Sequence, residues 1–238
     1  MIGGPGCNPI TGLQEPQFVK ELFSSIARRY DLANHLLSGG MDFLWRARAA
    51  RTVAAWKPAR ILDLATGSGD LALALAKHCP GAEIVGADFC LPMLLRAKAK
   101  GVGNLVVADG MRLPFADETF DAVTIAFGLR NMESWPGALH EIGRVLRNNG
   151  HVLVLDFSIP ENHALAAAYR FYLHRILPRI AGWVTREKSA YDYLADSIEK
   201  FPRGGDMVAL MNATGFRDAA CEPLTGGVVS LYTGMCVR

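Results

Sequence analysis

Short apolar runs alternate with helical patterns over the first two thirds of the chain. Most of these runs are followed by apolar positions that recur every third or fourth residue, which is the spacing of an amphipathic helix. Strands separated by helices in this way are typical of βαβ units in a mostly parallel sheet. The predicted strands cover residues 61–64, 83–87, 105–108, 121–127 and 151–157, and the predicted helices cover residues 71–77, 92–100 and 138–146.

The two ends of the chain follow other patterns. Phe18, Leu22, Ile26 and Tyr30 recur at every fourth position and predict a helical N-terminal extension. After the fifth strand, helices are predicted over residues 165–176, 188–200 and 206–214, and an antiparallel pair of strands over residues 216–222 and 228–237. We therefore predict a flexible arm (1–14) and a single domain (15–238), made of a helical cap (15–56), a core (58–158), and a helical insertion with the final strands (159–238).

Composition and charge exclude several classes of protein. Hydrophobic residues make up 50% and charged residues 20%, which excludes a disordered chain, collagen and a coiled coil. The 25 basic and 23 acidic residues leave a net charge of +2, which predicts no nucleic-acid partner. The five cysteines form no C-x-x-C pair and the histidines lack metal-ligand spacing, so no disulfide framework and no metal is expected. Without a signal-peptide pattern or a long apolar run, we expect a cytoplasmic protein.

A glycine-rich turn between the first strand and its helix is the strongest chemical signal. Glycines let a ligand approach the backbone, and the first turn of a helix has free N–H groups. Gly67, Gly69 and Ala72 fit the G-x-G-x-x-A pattern of dinucleotide-binding enzymes, and Asp88 follows Gly69 by 19 residues, where a ribose-binding acid belongs. A dehydrogenase and an enzyme that uses S-adenosylmethionine both fit this pattern.

The charges near the turn favour S-adenosylmethionine. Asp63 and Asp70 would repel a pyrophosphate, whereas S-adenosylmethionine carries a sulfonium and an ammonium but no phosphate. Asp70 could equally well favour the N-terminus of its helix. Asp63, Asp88 and Asp109 end successive strands, and ligands of open α/β sheets bind at that edge. A ribose diol suits Asp88, and an adenine amino group suits Asp109.

Taken together, these motifs resemble the class I S-adenosylmethionine-dependent methyltransferases, and among them the ubiquinone/menaquinone biosynthesis C-methyltransferases. The run Phe-Gly-Leu-Arg-Asn at residues 127–131 is the most diagnostic piece. The other matching stretches are residues 23–31 with Asn34, Trp45 and Arg46, and residues 62–70, 113–115, 120–121, 144–146, 155–158, 177–178, 191–198, 201–202, 215–216 and 224–227. The resemblance implies a Rossmann-like α/β fold with a mostly parallel seven-stranded sheet and an antiparallel C-terminal strand.

The resemblance also implies S-adenosylmethionine as methyl donor and a polyprenylated quinol as substrate. The predicted cofactor contacts are Asp63, Gly67, Ser68, Gly69, Asp88, Phe89, Met93, Asp109, Gly110, Ala126 and Phe127. Position 126 is a serine in many members of the family, so Ala126 removes one side-chain hydrogen bond. Demethylmenaquinol is favoured as substrate, with the benzoquinol of ubiquinone biosynthesis and a non-catalytic scaffold as alternatives.

A methyl group reaches a ring carbon only when that carbon is nucleophilic, and loss of a proton from the neighbouring hydroxyl makes it so. A phenol has a pKa of about 10, so the site should stabilise the phenolate. Arg130 and Asn131 are the predicted catalytic residues: they hold the ring oxygen while an ordered water takes the proton. The competing interpretation makes Arg130 a surface ion-pair residue.

Three further residues are predicted to bind substrate, namely Tyr30, Asn34 and Tyr191. Tyr30 and Asn34, with Asp31, form a lid or else pack a helix, and Tyr191 and Tyr193 pack against the ring or else fill the core. Residues 164–177 are apolar with interspersed cations, which suits a channel for the prenyl tail, a peripheral contact at the inner membrane face, or an ordinary amphipathic helix. The sequence leaves open whether the protein forms a homodimer.

Overall fold

The computed structural model describes residues 38–177, 179 and 188–238, without the side chains of residues 188–192. The strands are β1 (Arg60–Leu64), β2 (Glu83–Asp88), β3 (Asn104–Val107), β4 (Phe120–Ala126), β5 (Leu146–Phe157), β6 (Phe216–Leu224) and β7 (Val229–Cys236). The helices are α1 (Met41–Ala55), α2 (Asp70–His78), α3 (Leu91–Ala99), α4 (Trp135–Val145), α5 (His163–Phe171), α6 (Lys188–Lys200) and α7 (Gly205–Ala213). The arm 1–14 and the first part of the cap lie outside the described residues.

All seven strands form one sheet in the order β3-β2-β1-β4-β5-β7-β6. The first five strands are parallel, while β7 runs antiparallel to β5 and β6 runs antiparallel to β7. The predicted fold class is therefore confirmed. Its division into arm, cap, core and insertion stays a prediction.

Helices cover both faces of the sheet, which is why the central strands are apolar on both sides. Leu62 of β1 packs in the core cluster that holds Leu139 of α4 and Met211 of α7. Ile61, which points to the other face, packs in the cluster that contains Val53 of α1 and Leu75 of α2. None of the helices that the structure describes is long and apolar enough to cross a membrane.

The boundary between α4 and β5 differs from the prediction, because the strand begins at Leu146 and not at residue 151. Ser134 caps α4 by accepting a hydrogen bond from Gly137 N, and the helix ends at Val145 rather than at residue 146. Strand β5 begins directly at Leu146, and Asn149 within it takes the left-handed conformation at φ 62°. Asparagine tolerates that conformation better than most residues do.

The insertion forms a small core of its own. Helix α5 continues into a wider turn (Tyr172–Ile176), and Leu173 of this turn packs with Ile159 and with Ile198 of α6. Helix α6 also packs against a short 3₁₀ turn (Leu129–Asn131) that follows β4. The insertion therefore lies directly over the carboxyl end of β4.

Candidate active site

The chain reverses its direction across the sheet between β1 and β4. It fills the β2 and β3 positions on one side of β1 and then returns to place β4 on the other side. Ligands of open α/β sheets bind in the crevice at such a switch point. The structure has a cleft there that is open to solvent. The predicted site residues that line it are Gly67, Asp88, Phe89, Met93, Asp109, Gly110, Ala126, Phe127 and Asn131.

The loop after β1 is shaped by its glycines. Gly67 and Gly69 have φ angles of +57° and +84°, in the left-handed region that only glycine occupies without strain. A Cβ on Gly69 would lie 2.6 Å from Val102 Cγ2 and 3.0 Å from Ala97 Cβ, so no side chain fits there. Gly69 therefore brings the start of α2 against the end of α3, while Gly67 remains on the wall of the cleft.

Asp88 joins the glycine loop to the end of β2. Its two carboxylate oxygens accept hydrogen bonds from Gly67 N and Cys90 N, each at 2.8 Å. Burial raises the pKa of Asp88, and backbone N–H donors act in the opposite direction. Because each carboxylate oxygen can accept more than one hydrogen bond, both keep capacity for a ligand in the cleft. A diol such as that of a ribose matches this pair of acceptors.

Asp109 lies opposite, at the exposed end of β3. Its Oδ1 accepts a hydrogen bond of 2.9 Å from Met111 N, which fixes the carboxylate at the turn that ends in Arg112. The remaining oxygen is available to an amino group that enters the cleft.

Asp63 lies beneath the loop, not in the cleft. Its side chain is buried and accepts hydrogen bonds from Thr66 Oγ1 at 2.6 Å and Thr124 Oγ1 at 2.8 Å. Burial raises the pKa of Asp63 to about 6, although both threonine hydroxyls lower it. Ser68 is also buried, and neither Ser68 nor Gly69 lines the cleft. Their predicted contacts with a cofactor stay predictions.

The raised pKa of Asp63 predicts a pH-dependent cost in stability. Because the pKa is about 6 in the folded state and near 3.8 in the unfolded state, ionised Asp63 costs folding free energy as the pH rises through 6. The Asp63→Asn variant lacks this titration. We expect its free energy of unfolding, relative to the parent protein, to increase by up to about 3 kcal/mol between pH 4 and pH 7.5. Urea unfolding at the two pH values measures this difference, and a difference that does not change with pH would contradict the burial of a titrating carboxylate.

Asp70 has its charge offset by neighbouring cations. Its Oδ1 lies 2.7 Å from Lys100 Nζ, and its Oδ2 lies 4.0 Å from Arg46 Nη2. The repulsion that the sequence analysis assigned to Asp70 is therefore largely cancelled. The choice between a dinucleotide and S-adenosylmethionine has to rest on other observations.

Two residues with side chains adopt strained backbone conformations at the cleft. Ala65 follows β1 with φ 52°, and Phe127 follows β4 with φ 58°. The two loops touch, because a Cβ on Gly128 would lie 2.5 Å from Ala65 Cβ. Such strain is kept only where surrounding contacts hold it, and it concentrates at functional sites.

Arg130 is one of the residues that hold Phe127. Its Nη1 donates to the Phe127 carbonyl at 2.6 Å and to Asp156 Oδ1 at 2.7 Å, and its guanidinium lies over the Phe157 ring at 5.4 Å. Arg130 and Asp156 are both buried, which contradicts the interpretation of Arg130 as a surface ion-pair residue. Burial raises the pKa of Asp156, and the charge of Arg130 opposes that change. Arg130 does not line the cleft, so its contact with a ring oxygen stays a prediction.

Helix α1 supports Phe127 from behind. The Trp45 ring lies 6.2 Å from that of Phe127, and the Arg46 guanidinium lies 5.4 Å from the Phe127 ring centroid. Trp45 Nε1 donates to Thr225 Oγ1 at 2.8 Å, which ties the helix to the turn before β7. Trp45 and Arg46 belong to a stretch that matches the family's pattern in the sequence. Their contact with Phe127 was not predicted, because it forms only when the chain folds.

Some predicted site residues lie outside the cleft or outside the described residues, and some residues of the cleft were not predicted. Tyr30 and Asn34 lie outside the described residues, and Tyr191 belongs to α6 but its side chain is not described. Arg170 and His174 of the 164–177 stretch both lie near Glu199, at 3.4 and 3.2 Å. The remaining lining residues were not predicted from the sequence; they are Ala65, Met111, Gly128, Met132 and Glu133. Most of these residues have no reactive side chain, and the sequence indicated them only through their proximity to predicted site residues.

Comparisons with known proteins agree with this geometry. A sequence profile of the ubiE/COQ5 methyltransferase family matches residues 10–236. A demethylmenaquinone methyltransferase of Thermus thermophilus is 47% identical over 218 residues, which cover 90% of this chain and 99% of the relative. A ubiquinone/menaquinone biosynthesis C-methyltransferase UbiE of Syntrophotalea carbinolica is 47% identical over 223 residues, which cover 92% and 94%.

Solved structures add a likeness in fold. An S-adenosylmethionine-dependent methyltransferase of Thermotoga maritima has a TM-score of 0.65 at 16% identity and covers 90% of this chain and 98% of its own. Human N-acetylserotonin methyltransferase, solved with S-adenosylmethionine, has a TM-score of 0.59 at 17% identity and covers 95% of this chain and 64% of its own. At such identities the likeness shows a shared fold alone.

Proposed function

Because the chain belongs to the ubiE/COQ5 methyltransferase family, we propose that it transfers a methyl group from S-adenosylmethionine to a ring carbon of a polyprenylated quinol. Demethylmenaquinol is the favoured substrate, since the relative from Thermus thermophilus, matched over nearly its whole length, is named a demethylmenaquinone methyltransferase. The quinol of ubiquinone biosynthesis is the second candidate, since the name of the relative from Syntrophotalea carbinolica includes both pathways. Family membership rules against the dehydrogenase alternative.

The observation that carries the proposal is the set of acceptors around one cleft. Asp88 presents two oxygens for a ribose diol, and Asp109 presents one for an adenine amino group. Gly67 and Gly110 each contribute backbone without a side chain to the wall of the cleft. S-adenosylmethionine, when bound, supplies an activated methyl group on a sulfonium. Among the described residues that line the cleft there are backbone groups and carboxylates and no cation, which suits this cofactor.

The residues of the protein itself position the substrate ring and make its carbon nucleophilic. Asn131 lines the cleft close to the strained Phe127, and its amide can donate to a ring oxygen as negative charge develops there. Arg130 holds the Phe127 carbonyl and with it the position of this loop. An ordered water takes the proton of the ring hydroxyl, the ring carbon gains the methyl group, and loss of the proton on that carbon to water restores the aromatic ring.

The test offers labelled S-adenosylmethionine with reduced demethylmenaquinone and with the reduced 2-methoxy-6-polyprenyl-benzoquinone. We expect transfer to demethylmenaquinol, and we expect Asn131→Ala to lower kcat by about 10²–10³, as loss of one donor to a developing oxyanion does. Asn212→Ala, an exposed position on α7, is the matched control and should keep the parent rate. Binding of S-adenosylmethionine without transfer to either ring would contradict the quinol part of the proposal and leave the part that concerns the cofactor.

A further inference from the structure

Tyr193 of α6 extends to the edge of the cleft. Its hydroxyl lies 3.1 Å from Asn131 Oδ1, and α6 packs against the 3₁₀ turn that contains Asn131. Asn131 Nδ2 lies 3.3 Å from the Phe127 carbonyl oxygen. The insertion thus reaches the candidate catalytic turn through one side-chain hydrogen bond.

The hydrogen-bond partners of Asn131 determine which way its amide faces. The Phe127 carbonyl accepts hydrogen bonds but cannot donate, so the nitrogen of the Asn131 amide faces it. The oxygen of the amide then faces Tyr193, whose hydroxyl donates to it. This orientation leaves the second N–H of Nδ2 as the donor that Asn131 can offer to a ligand in the cleft that it lines.

We propose that Tyr193 is a positioning residue for methyl transfer: its hydroxyl fixes the Asn131 amide so that Nδ2, and not Oδ1, meets the oxygen of the substrate ring. The assignment rests on the proposed function and adds a residue of the insertion to the site. An inverted amide would place an acceptor against the developing phenolate and would repel it.

The environment of Tyr193 keeps its hydroxyl a donor. Burial raises the pKa of Tyr193 to about 12, with Arg130 lowering it and Asp156 raising it. At neutral pH the hydroxyl therefore retains its proton for Asn131 and does not take one from the substrate. Tyr193 acts through Asn131 and not as a base.

The Tyr193→Phe variant removes the hydroxyl and keeps the ring. We expect kcat to fall about tenfold, while KM for the quinol and Kd for S-adenosylmethionine stay within about twofold, because one hydrogen bond that orients a transition-state donor is lost. In an Asn131→Ala background the same change should have no further effect on kcat. Tyr232→Phe is the matched control: its hydroxyl accepts from Gly204 N at 3.0 Å, away from the cleft, and its loss should leave kcat unchanged.

A second measurement needs no turnover. Hydrogen exchange of the Asn131 side-chain amide, followed by NMR in the whole protein, should be faster in Tyr193→Phe than in the parent protein or in Tyr232→Phe. The inference would be overturned if Tyr193→Phe changed neither kcat nor the amide exchange. It would also be overturned if Tyr193→Phe lowered kcat by the same factor in the parent protein and in the Asn131→Ala background. If the parent protein methylates neither quinol, the proposed function fails, and the exchange comparison alone decides whether Tyr193 orients Asn131.

Discussion

The Asp156→Ala variant is expected to lose about 3–5 kcal/mol of unfolding free energy, since removing one partner of a buried ion pair leaves the other charge without compensation. The side chains of Arg130 and Asp156 are 5% and 0% exposed, so water cannot replace the lost carboxylate. Asp156 also accepts hydrogen bonds from Phe157 N at 2.9 Å and from Arg130 N at 3.3 Å. Its loss therefore removes the acceptor of these two backbone amides as well as the partner of the guanidinium.

Two controls separate the buried charge from general damage. Glu222→Ala removes one partner of the Arg48–Glu222 pair, in which both side chains are more than 40% exposed, and should cost no more than about 1 kcal/mol. The double variant Asp156→Ala with Arg130→Met removes both charges and should recover most of the stability but no methyl transfer. Urea unfolding measures all three variants. If Asp156→Ala were no more destabilising than Glu222→Ala, the pair would not be buried as the structure describes.

The fold was readable from the sequence because its central strands are buried on both faces. β1 and β2 appear as short, nearly continuous apolar runs, and the predicted limits lie within a residue or two of the observed ones. The antiparallel pair of final strands was also predicted, because a local glycine-containing turn separates the two strands. The start of β5 was placed late, because Leu146 joins the strand directly from the helix with no residues between them to mark the boundary.

Only part of the candidate site could be predicted from the sequence. Asp88 and Asp109 end strands, and their position at one edge follows from parallel pairing alone. The pairing of Arg130 with Asp156 spans 26 residues, and the contact of Tyr193 with Asn131 spans 62, so neither has a local signature. The strain at Ala65 and Phe127 is equally hidden, since both residue types usually avoid positive φ.

Asp88→Ala is expected to weaken binding of S-adenosylmethionine by about 100-fold or more. Two hydrogen bonds from a ribose diol to a carboxylate are lost, each worth about 1.5–3 kcal/mol, and 1.4 kcal/mol corresponds to tenfold in Kd. The same substitution also removes the acceptors of Gly67 N and Cys90 N, so part of the loss would come from the loop itself. Isothermal titration calorimetry measures the change, and Asp206→Ala, an exposed carboxylate in the first turn of α7, should leave Kd unchanged.

A cofactor analogue separates the two causes. S-adenosylhomocysteine and its 2′-deoxy form are titrated into the parent protein and into Asp88→Ala, which gives a cycle between one side chain and one hydroxyl. If Asp88 holds the diol, the deoxy form should bind the parent protein about tenfold more weakly than S-adenosylhomocysteine does, and this difference should vanish in Asp88→Ala. An equal penalty for the deoxy form in both proteins would limit Asp88 to holding Gly67 and Cys90, and the ribose would then need another partner in the cleft.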